Sequence, residues 1–393
     1  MSSSFYIEVH CQRRNFEGQR ICGDVFLSKR IPEENRVIAV LSDGMGHGVK
    51  ANVLATLTST LALNFTKEHK DANTIAETVM KALPDCSVRK MSYATFTIID
   101  IEFDGTTQII EYGNPQTAVF RGAKPFDPEW QCVLLTGENA GKEIKTCSFK
   151  LQKEDRIVFF SDGITQSGTG SIKYPNGWGL ENVTSYSAKL IANNPSISAK
   201  NMASKLVNIA YQNDGFKSKD DTSCAAIYLR EPRRLLLCSG PPVESDSDAE
   251  MTDILLNFKG RKVICGATTS EIISNHSGIA IIDGQEFDDP ELPPISFMKG
   301  IDLVTEGILT LSKVALLLRN YQNSPPAGKG PADQVVKLLL ESDEIHLLIG
   351  MRINQAHHVP GLPLELEVRP TVARRIAGLL EDEFMKEVFV RFM

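Results

Sequence analysis

The chain has 393 residues, of which 42% are hydrophobic and 23% are charged, and its formal net charge is −7. This length favours two domains, and an acidic chain without a basic run argues against nucleic-acid binding. No apolar stretch reaches the ~20 residues that span a membrane, and no signal peptide begins the sequence. The 8 cysteines lack any C-x-x-C pair, as in proteins with reduced thiols, so we expect a cytoplasmic protein.

The first 230 residues carry strand patterns in runs, with helix patterns in pairs, which is typical of an α+β fold. Asp104-Gly105, between two alternating apolar runs, predicts a hairpin. Asp71 or Asn73 is expected to cap the second helix. Strands are predicted over residues 5–12, 22–28, 36–42, 93–103, 107–112, 117–121, 132–136, 145–150, 156–161 and 223–230. Helices are predicted over residues 49–65, 73–83, 180–190 and 197–212.

The remaining residues have a different pattern. Residues 233–250 are small, polar and proline-bearing, which predicts a linker between a domain over 1–232 and another over 251–393. In the second domain strands and helices alternate, so we expect a small α/β domain around a mostly parallel sheet. Its strands are predicted over 262–265, 278–283, 301–304, 344–349, 364–368 and 387–392. Its helices are predicted over 268–274, 310–320, 332–341 and 371–383.

The stretch Val37–Gly48 joins an apolar strand, an aspartate, a loop with three glycines and a helix. A dinucleotide-binding loop would need a third glycine where Val49 stands, and Asp43 would repel a pyrophosphate. A carboxylate beside glycines suits a hard divalent cation, because such ions take oxygen ligands. A tight turn with an exposed aspartate is the alternative.

Other carboxylates also stand at strand ends. Asp24 begins a strand, Asp162 follows the strand 156–161, and Asp220 with Asp221 precedes the strand 223–230. Any one of these is ordinarily a turn residue. If the fold brought them together, however, they would repel one another unless cations compensated their charge.

These motifs, in this order, resemble those of the metal-dependent protein phosphatases of the PPM class. The most similar branch is the bacterial stage II sporulation protein E (SpoIIE) type of serine/threonine phosphatase. The resemblance covers roughly residues 4–230. Its motifs are Gly23-Asp24, Asp43-Gly-Met-Gly-His-Gly48, Phe160-Ser-Asp-Gly163 and Asp220-Asp-Thr-Ser223, supported by Tyr93–Thr97, Tyr112–Pro115 and Gly177–Leu180.

The resemblance implies two stacked antiparallel sheets flanked by helices, with the active site at one end. It implies hydrolysis of phosphoserine or phosphothreonine by a hydroxide that two Mn²⁺ or Mg²⁺ ions activate. Asp43 would bridge the two ions, and the Gly44 carbonyl oxygen would complete one coordination shell. Asp162 and Asp220 would hold the first ion, and Asp24 would serve the second ion or orient its waters.

Some positions leave alternatives open. Eukaryotic relatives often carry an acid where this chain has Gly23, so the second ion is expected to bind weakly. Asp221 is either an acid that supports the ligands or a surface residue. His47 is either a proton donor to the leaving group or a packing residue of the loop, and we favour packing. Arg13, Arg14 and Arg20 either approach the substrate phosphate or form a solvated basic loop.

The resemblance implies that the partner is a phosphoprotein, such as an anti-sigma-factor antagonist with a phosphoserine, and the chain could form a homodimer. One alternative function is a catalytically weak signalling or scaffold protein. Another is hydrolysis of a small phosphorylated metabolite, with the second domain forming part of the pocket.

The second domain offers one candidate anion site. Gly266, Thr268 and Thr269 lie between a strand and a helix, where backbone amides could hold a phosphate. The alternative, which we favour, is a helix cap in which Thr268 and Glu271 form a capping box. Residues 304–307 are expected to line the same edge of the sheet.

Overall fold

The computed structural model describes residues 5–82, 95–286, 288–321, 328–352 and 369–393. The chain forms two compact units, Met1–Glu231 and Pro232–Met393. Within the described residues, no helix has both the length and the apolar character needed to cross a membrane.

The described residues of the first unit form eleven strands and five α-helices. The strands are β1 (Tyr6–Arg14), β2 (Asp24–Ile31), β3 (Arg36–Asp43), β4 (Phe96–Ile101), β5 (Thr106–Tyr112), β6 (Ala118–Arg121), β7 (Lys124–Phe126), β8 (Gln131–Leu134), β9 (Glu143–Lys150), β10 (Asp155–Phe160) and β11 (Thr222–Arg230). The helices are α1 (Val49–Lys67), α2 (Ala72–Ala82), α3 (Asp162–Thr165), α4 (Leu180–Asn193) and α5 (Ala199–Asn213), with a 3-10 turn over Gly137–Asn139.

The strands of the first unit form two antiparallel sheets, ordered β1-β11-β10-β6-β7 and β2-β3-β4-β5-β9-β8. One apolar core contains buried residues of both sheets. A second core joins the five-stranded sheet to α3, α4 and α5, and a third joins the six-stranded sheet to α1 and α2. The α+β sandwich flanked by helices is therefore confirmed.

Strand β3 shows why this sandwich forms. Val37, Ala39 and Leu41 belong to the core between the sheets, whereas Ile38 and Val40 belong to the core under α1 and α2. Both faces of the strand are buried, so its sequence is continuously apolar up to the aspartate at its end. The predicted cap of α2 is Asp71, whose carboxylate accepts from the Thr74 backbone N–H at 3.0 Å.

The second unit is a doubly wound α/β fold. Its strands are β12 (Arg234–Ser239), β13 (Arg261–Cys265), β14 (Ile281–Asp283), β15 (Ser296–Met298), β16 (Leu303–Thr305), β17 (Glu344–Ile349) and β18 (Glu387–Phe392). Its helices are α6 (Ser247–Asn257), α7 (Ala267–Ser277), α8 (Ile308–Arg319), α9 (Pro331–Glu341) and α10 (Arg369–Phe384). The strand order is β14-β15-β16-β13-β12-β17-β18, and the pairs from β16 to β18 are parallel. The mostly parallel sheet is confirmed.

The linker predicted over residues 233–250 is wrong. Residues 234–239 form β12, which lies between β13 and β17, and its leucines pack into the cores on both faces of the sheet. The proline-bearing residues that suggested a linker are the connection from β12 to α6. The first residues of the predicted linker are a central strand because three consecutive leucines need burial on both sides. The strand predicted over 364–368 lies outside the described residues.

Candidate active site

The four predicted acids come from strand ends that meet at one end of the sandwich. Asp24 begins β2 and lies directly opposite Asp43, which ends β3 in the same sheet. In the other sheet, Asp162 follows β10 and Asp220 precedes β11, and these strands are antiparallel neighbours. Asp43 interacts electrostatically with the other three carboxylates, so the fold brings the predicted set together.

Asp24 is fully buried. Its Oδ2 accepts a hydrogen bond of 2.7 Å from the Ser161 hydroxyl, and its Oδ1 has no hydrogen-bond partner in the described part of the chain. Burial raises the pKa of Asp24 to about 7, and the Ser161 bond offsets part of that rise. The orphaned oxygen leaves a buried carboxylate whose charge is only partly compensated.

Asp43 and Asp162 lie close enough together for the pKa of each carboxyl group to depend on the other. Burial raises the pKa of both groups, and the charge of Asp24 raises that of Asp43 further. The Gln166 amide donates to Asp162 Oδ2 at 2.7 Å, while Asp162 Oδ1 is buried and unpartnered among the described residues. Neighbouring carboxyl groups whose pKa values are both raised mark an excess of negative charge.

Asp220 is half-buried beside this pair. Burial, followed by the charge of Asp162, raises its pKa to about 6. Its Oδ1 accepts from the Asp221 backbone N–H at 2.8 Å. The carboxylate is thus held just before β11, close enough to Asp162 for the charge of that acid to raise its pKa.

Asp221 is not a surface residue, because only 1% of it is exposed. Its Oδ1 accepts from the Phe16 backbone N–H at 2.9 Å and fastens the loop between β1 and β2. A Cβ atom at Gly23 would lie 2.6 Å from Asp221 Oδ2. A side chain at position 23 therefore has no room while Asp221 occupies this place.

The loop after Asp43 contacts the start of α1. A Cβ atom at Gly44 would lie 2.0 Å from the Ala51 carbonyl oxygen, so no other residue fits this position without moving the helix. Gly48 is the N-cap of α1 and has a φ of 74°, in the left-handed region that favours glycine. These two glycines fix the path of the chain beside Asp43.

His47 is exposed on this loop and stacks on Phe16, with ring centroids 4.3 Å apart and planes 9° apart. It is close enough to Asp220 to lower the pKa of that carboxyl group. The stacking gives His47 the packing contact expected of a loop residue.

Two of the three candidate arginines have partners within the protein. Arg13 donates to the Asp24 backbone carbonyl at 3.2 Å, and the Arg14 guanidinium lies 3.9 Å from the centroid of the Tyr211 ring. Arg20 is exposed on the loop before β2. Arg13 is therefore the arginine whose contact ties it to the acid cluster.

A polar network lies behind Asp43 that was not predicted from the sequence. The Asn114 amide donates to the Leu41 carbonyl at 3.3 Å and to the Thr97 hydroxyl at 3.1 Å. Thr95 donates its hydroxyl to Asn114, and its backbone N–H to the Asp43 carbonyl at 2.9 Å. Together these bonds hold the end of β3. The signal in the sequence is the Gly113-Asn-Pro turn after β5.

The four acids suit divalent cations, because they offer oxygen ligands and because their negative charge is only partly compensated. All the converging side chains offer carboxylate oxygens, and buried oxygens of Asp24, Asp162 and Asp221 lack hydrogen-bond partners within the described ranges. Across those same ranges, no three His, Cys, Asp or Glu side chains already surround a common point.

A two-sheet sandwich with helices on both outer faces and acids at one end defines the PPM class of protein phosphatases. Within that class, the family model for stage II sporulation protein E (SpoIIE) matches residues 33–230. The chain therefore belongs to the SpoIIE family.

One curated relative and two solved structures illustrate this similarity. The phosphoserine phosphatase RsbX of Bacillus subtilis (strain 168) is 25% identical over 161 residues, which are 40% of this chain and 75% of RsbX. The PP2C phosphatase domain of SpoIIE from Bacillus subtilis, solved with a fragment of its regulatory domain, is 18% identical with a TM-score of 0.48. That match covers 58% of this chain and 64% of the other, less than two thirds of its length.

RsbX has also been solved in complex with magnesium. Its match has a TM-score of 0.36 and 21% identity, and covers 58% of this chain and 98% of that chain.

Proposed function

We propose that the first unit hydrolyses phosphoserine or phosphothreonine on a regulatory protein, with two Mn²⁺ or Mg²⁺ ions held by the acid cluster. The observation that carries this proposal is the convergence of Asp24, Asp43, Asp162 and Asp220 at one end of the sandwich. Membership of the SpoIIE family supports the reaction class.

Each acid has a proposed role that follows from its neighbours. Asp43 interacts with acids of both sheets, so it would contact both ions. Asp162 and Asp220 lie beside the adjacent ends of the neighbouring strands β10 and β11 and would hold one ion together. Asp24 would serve the second ion through its orphaned Oδ1, and the Gly44 carbonyl oxygen would add a neutral ligand. When bound, the ions supply positive charge for the phosphoryl oxygens and lower the pKa of a water molecule.

The surrounding hydroxyl groups favour water as the nucleophile. Ser161 donates its hydroxyl to Asp24, and Ser42 donates its hydroxyl to the Thr95 carbonyl at 2.7 Å. Both serines are fully buried. A buried hydroxyl that already donates to an acceptor is poorly placed to attack an incoming phosphoprotein.

RsbX is named a phosphoserine phosphatase, which supports a phosphoserine substrate for this chain. A small phosphoprotein such as an anti-sigma-factor antagonist is the partner we propose. The homodimer is also a proposal, and the exposed side chains of Val49, Val53 and Leu57, on successive turns of α1, support it. Light scattering of the purified chain would test it.

The test is hydrolysis of p-nitrophenyl phosphate, a phosphoserine peptide and a panel of phosphorylated metabolites, with Mn²⁺, Mg²⁺ or EDTA. We expect metal-dependent turnover of the peptide that Asp43→Asn and Asp162→Asn abolish. Asp71→Asn is the matched control, because Asp71 is an exposed helix cap that asparagine can replace.

Calorimetric titration with Mn²⁺ provides a second measurement that does not depend on activity. A folded protein that binds Mn²⁺ yet turns over no phosphopeptide would contradict the proposed reaction. Preference for a metabolite over every phosphopeptide would contradict the proposed substrate.

A further inference from the structure

The second unit has a distinctive edge where its parallel strands end. Strands β12, β13 and β17 are each followed at once by a glycine, namely Gly240, Gly266 and Gly350, and β16 is followed by Glu306-Gly307. Because these strands are parallel, all four ends lie along the same edge of the sheet. The chain order reverses between β12 and β17, and ligands of doubly wound folds bind beside such a reversal.

At this edge the backbone segments approach one another closely. A Cβ atom at Gly350 would lie 2.2 Å from the Pro241 carbonyl oxygen, and one at Gly307 would lie 3.3 Å from the Gly266 Cα. Gly266 and Gly307 are the N-caps of α7 and α8, and in this described region neither helix has a side-chain cap hydrogen bond. Two helix N-termini with uncapped amides therefore stand side by side and attract an anion.

A positive side chain lies at the same edge. Arg369, the first residue of α10, packs against Gly240, where a Cβ atom would lie 2.1 Å from its Nη1. Nη1 donates to the Gly350 carbonyl at 3.0 Å, but the buried Nε has no hydrogen-bond partner in the described residues. Burial lowers the pKa of Arg369, and the charge of Glu306 raises it in part. The guanidinium is thus buried, and its Nε–H remains able to donate a hydrogen bond to a ligand.

Three further polar atoms at this edge are buried without partners in the part of the chain that the structure describes. They are Ser239 Oγ, Thr310 Oγ1 and Glu306 Oε2. Ser239 ends β12, Thr310 lies in the first turn of α8, and both residues are fully buried. Buried polar groups ordinarily have partners, so a cluster of orphans beside two helix N-termini and an arginine indicates a missing ligand.

The residues of the predicted anion site divide between two roles. Gly266 stays at the edge, but the Thr269 hydroxyl accepts from the Gly240 backbone N–H at 2.8 Å and braces β12 against α7. The capping box of Thr268 and Glu271 is wrong, since the N-cap of α7 is Gly266. The turn after β12 carries Pro241 and Pro242, which lack N–H groups. The backbone N–H groups at the N-termini of α7 and α8 are therefore better hydrogen-bond donors to an anion.

We propose that the second unit binds a phosphorylated, hydroxyl-bearing small molecule at this edge. Arg369 and the N-termini of α7 and α8 hold its phosphate, and Glu306 accepts from a hydroxyl group. Two helix N-termini and an arginine match the charge of a phosphate monoester better than that of a carboxylate. Glu306 would repel an anion that had no hydrogen-bond donors, and this gives the site its selectivity.

The test measures binding to the full-length protein in EDTA, which keeps cations from the acid cluster of the first unit. The probes are AMP, glucose 6-phosphate, inorganic phosphate and L-glutamate, each titrated to millimolar concentration by calorimetry. We expect AMP or glucose 6-phosphate to bind with one site per chain and more tightly than inorganic phosphate. An Asp43→Asn background should leave the affinity unchanged, which separates this site from the first unit.

Variants assign the binding to residues. Arg369→Lys keeps the charge but loses the planar fork, so we expect about tenfold weaker binding of every phosphate probe. Glu306→Gln should weaken the hydroxylated ester and spare inorganic phosphate. Arg375→Lys, an exposed change on the same helix, should alter nothing. Circular dichroism confirms that each variant is folded.

Three results would overturn the proposal. They are no binding of any phosphate probe, tighter binding of L-glutamate than of the phosphate esters, and phosphate binding that neither Arg369→Lys nor Glu306→Gln changes. The last result would mean an adventitious ion only.

Discussion

Asp24 and Asp43 face each other directly across β2 and β3, the first residue of one strand against the last residue of the other. Like charges in this cross-strand position destabilise a sheet. The protein keeps them there together with two more acids from the opposite sheet, so the end of the sandwich is built at a cost in stability.

Asp43→Asn should have opposite effects on stability without and with metal. In EDTA at neutral pH the variant should be more stable than the wild type, on the order of 1–3 kcal/mol, because it removes a crowded buried acid. Saturating Mn²⁺ should stabilise the wild type by about 2.7 kcal/mol at 100 times its Kd and barely affect the variant. Thermal unfolding of both proteins under both conditions measures this, with Asp71→Asn as the control. Equal shifts by Mn²⁺ in the wild type and in Asp43→Asn would contradict the metal assignment.

Burial of Glu111, away from the acid cluster, should make the free energy of unfolding depend on pH. Only 3% of the residue is exposed, and its Oε1 accepts from the Thr117 backbone N–H at 2.7 Å. Burial raises its pKa from 4.5 to about 7. The unfolded chain therefore releases this proton first as the pH rises, so the stability that the protonated form provides is lost between these two values.

Glu111→Gln should remove that loss. The variant should equal the wild type near the lower pKa and exceed it above the upper one, by about 3 kcal/mol at most. Denaturant unfolding across the pH range measures the difference, and Glu102→Gln, an exposed change on the same hairpin, is the control. A stability difference that does not vary with pH would refute the burial argument.

Gly23 and Asp221 should be coupled. Gly23→Ala places a methyl group 2.6 Å from Asp221 Oδ2 and 2.9 Å from the Ala51 Cβ, so we expect a loss of about 1–3 kcal/mol. In the background of Asp221→Ala, the same change should cost less, because the carboxylate is gone. A double-mutant cycle measures this coupling. Strict additivity would mean that the contact with Ala51 alone opposes a side chain at this position.

Asn114→Ala should affect the active site indirectly, by removing hydrogen bonds that hold the end of β3. It removes the bonds to the Leu41 carbonyl and the Thr97 hydroxyl, and should destabilise the protein by about 1–3 kcal/mol. We expect kcat to fall and the Mn²⁺ concentration for half activity to rise, since the end of β3 loses its support. Asn194→Ala, a change at the C-terminal end of α4, is the control. A loss of stability with unchanged metal dependence would reduce Asn114 to a structural residue.

The strands and the acid cluster were predictable because their signals are local. An apolar run that ends just before or at Asp162 or Asp43, or that begins just after Asp220 and Asp221, marks a strand end in the sequence itself. The roles of Asn114 and Ser161 were not predictable in this way, since their partners lie far along the chain: the bond from Asn114 to Leu41 spans 73 residues and that from Ser161 to Asp24 spans 137. Hydrogen bonds over such separations are fixed by strand register.

The second unit shows a different limit. Its alternating elements gave the class of fold, but the proline-bearing stretch after β12 hid a central strand, because composition was averaged over strand and loop together. The edge glycines are visible in the sequence. Their meaning depends on Arg369, which lies more than a hundred residues after Gly240 and Gly266 and reaches the edge only through the fold.

Ser161 links the two sheets of the first unit at the end where the acids lie. Its hydroxyl donates to Asp24 of the six-stranded sheet and accepts from the Ser223 backbone N–H of the five-stranded sheet at 3.0 Å. The Ser161 hydroxyl oxygen therefore connects the two sheets at the end of the sandwich where the acids lie. Any loosening of the layers would pull the candidate ligands apart at the same moment, so the integrity of the sandwich and the assembly of the active site are a single property of the molecule.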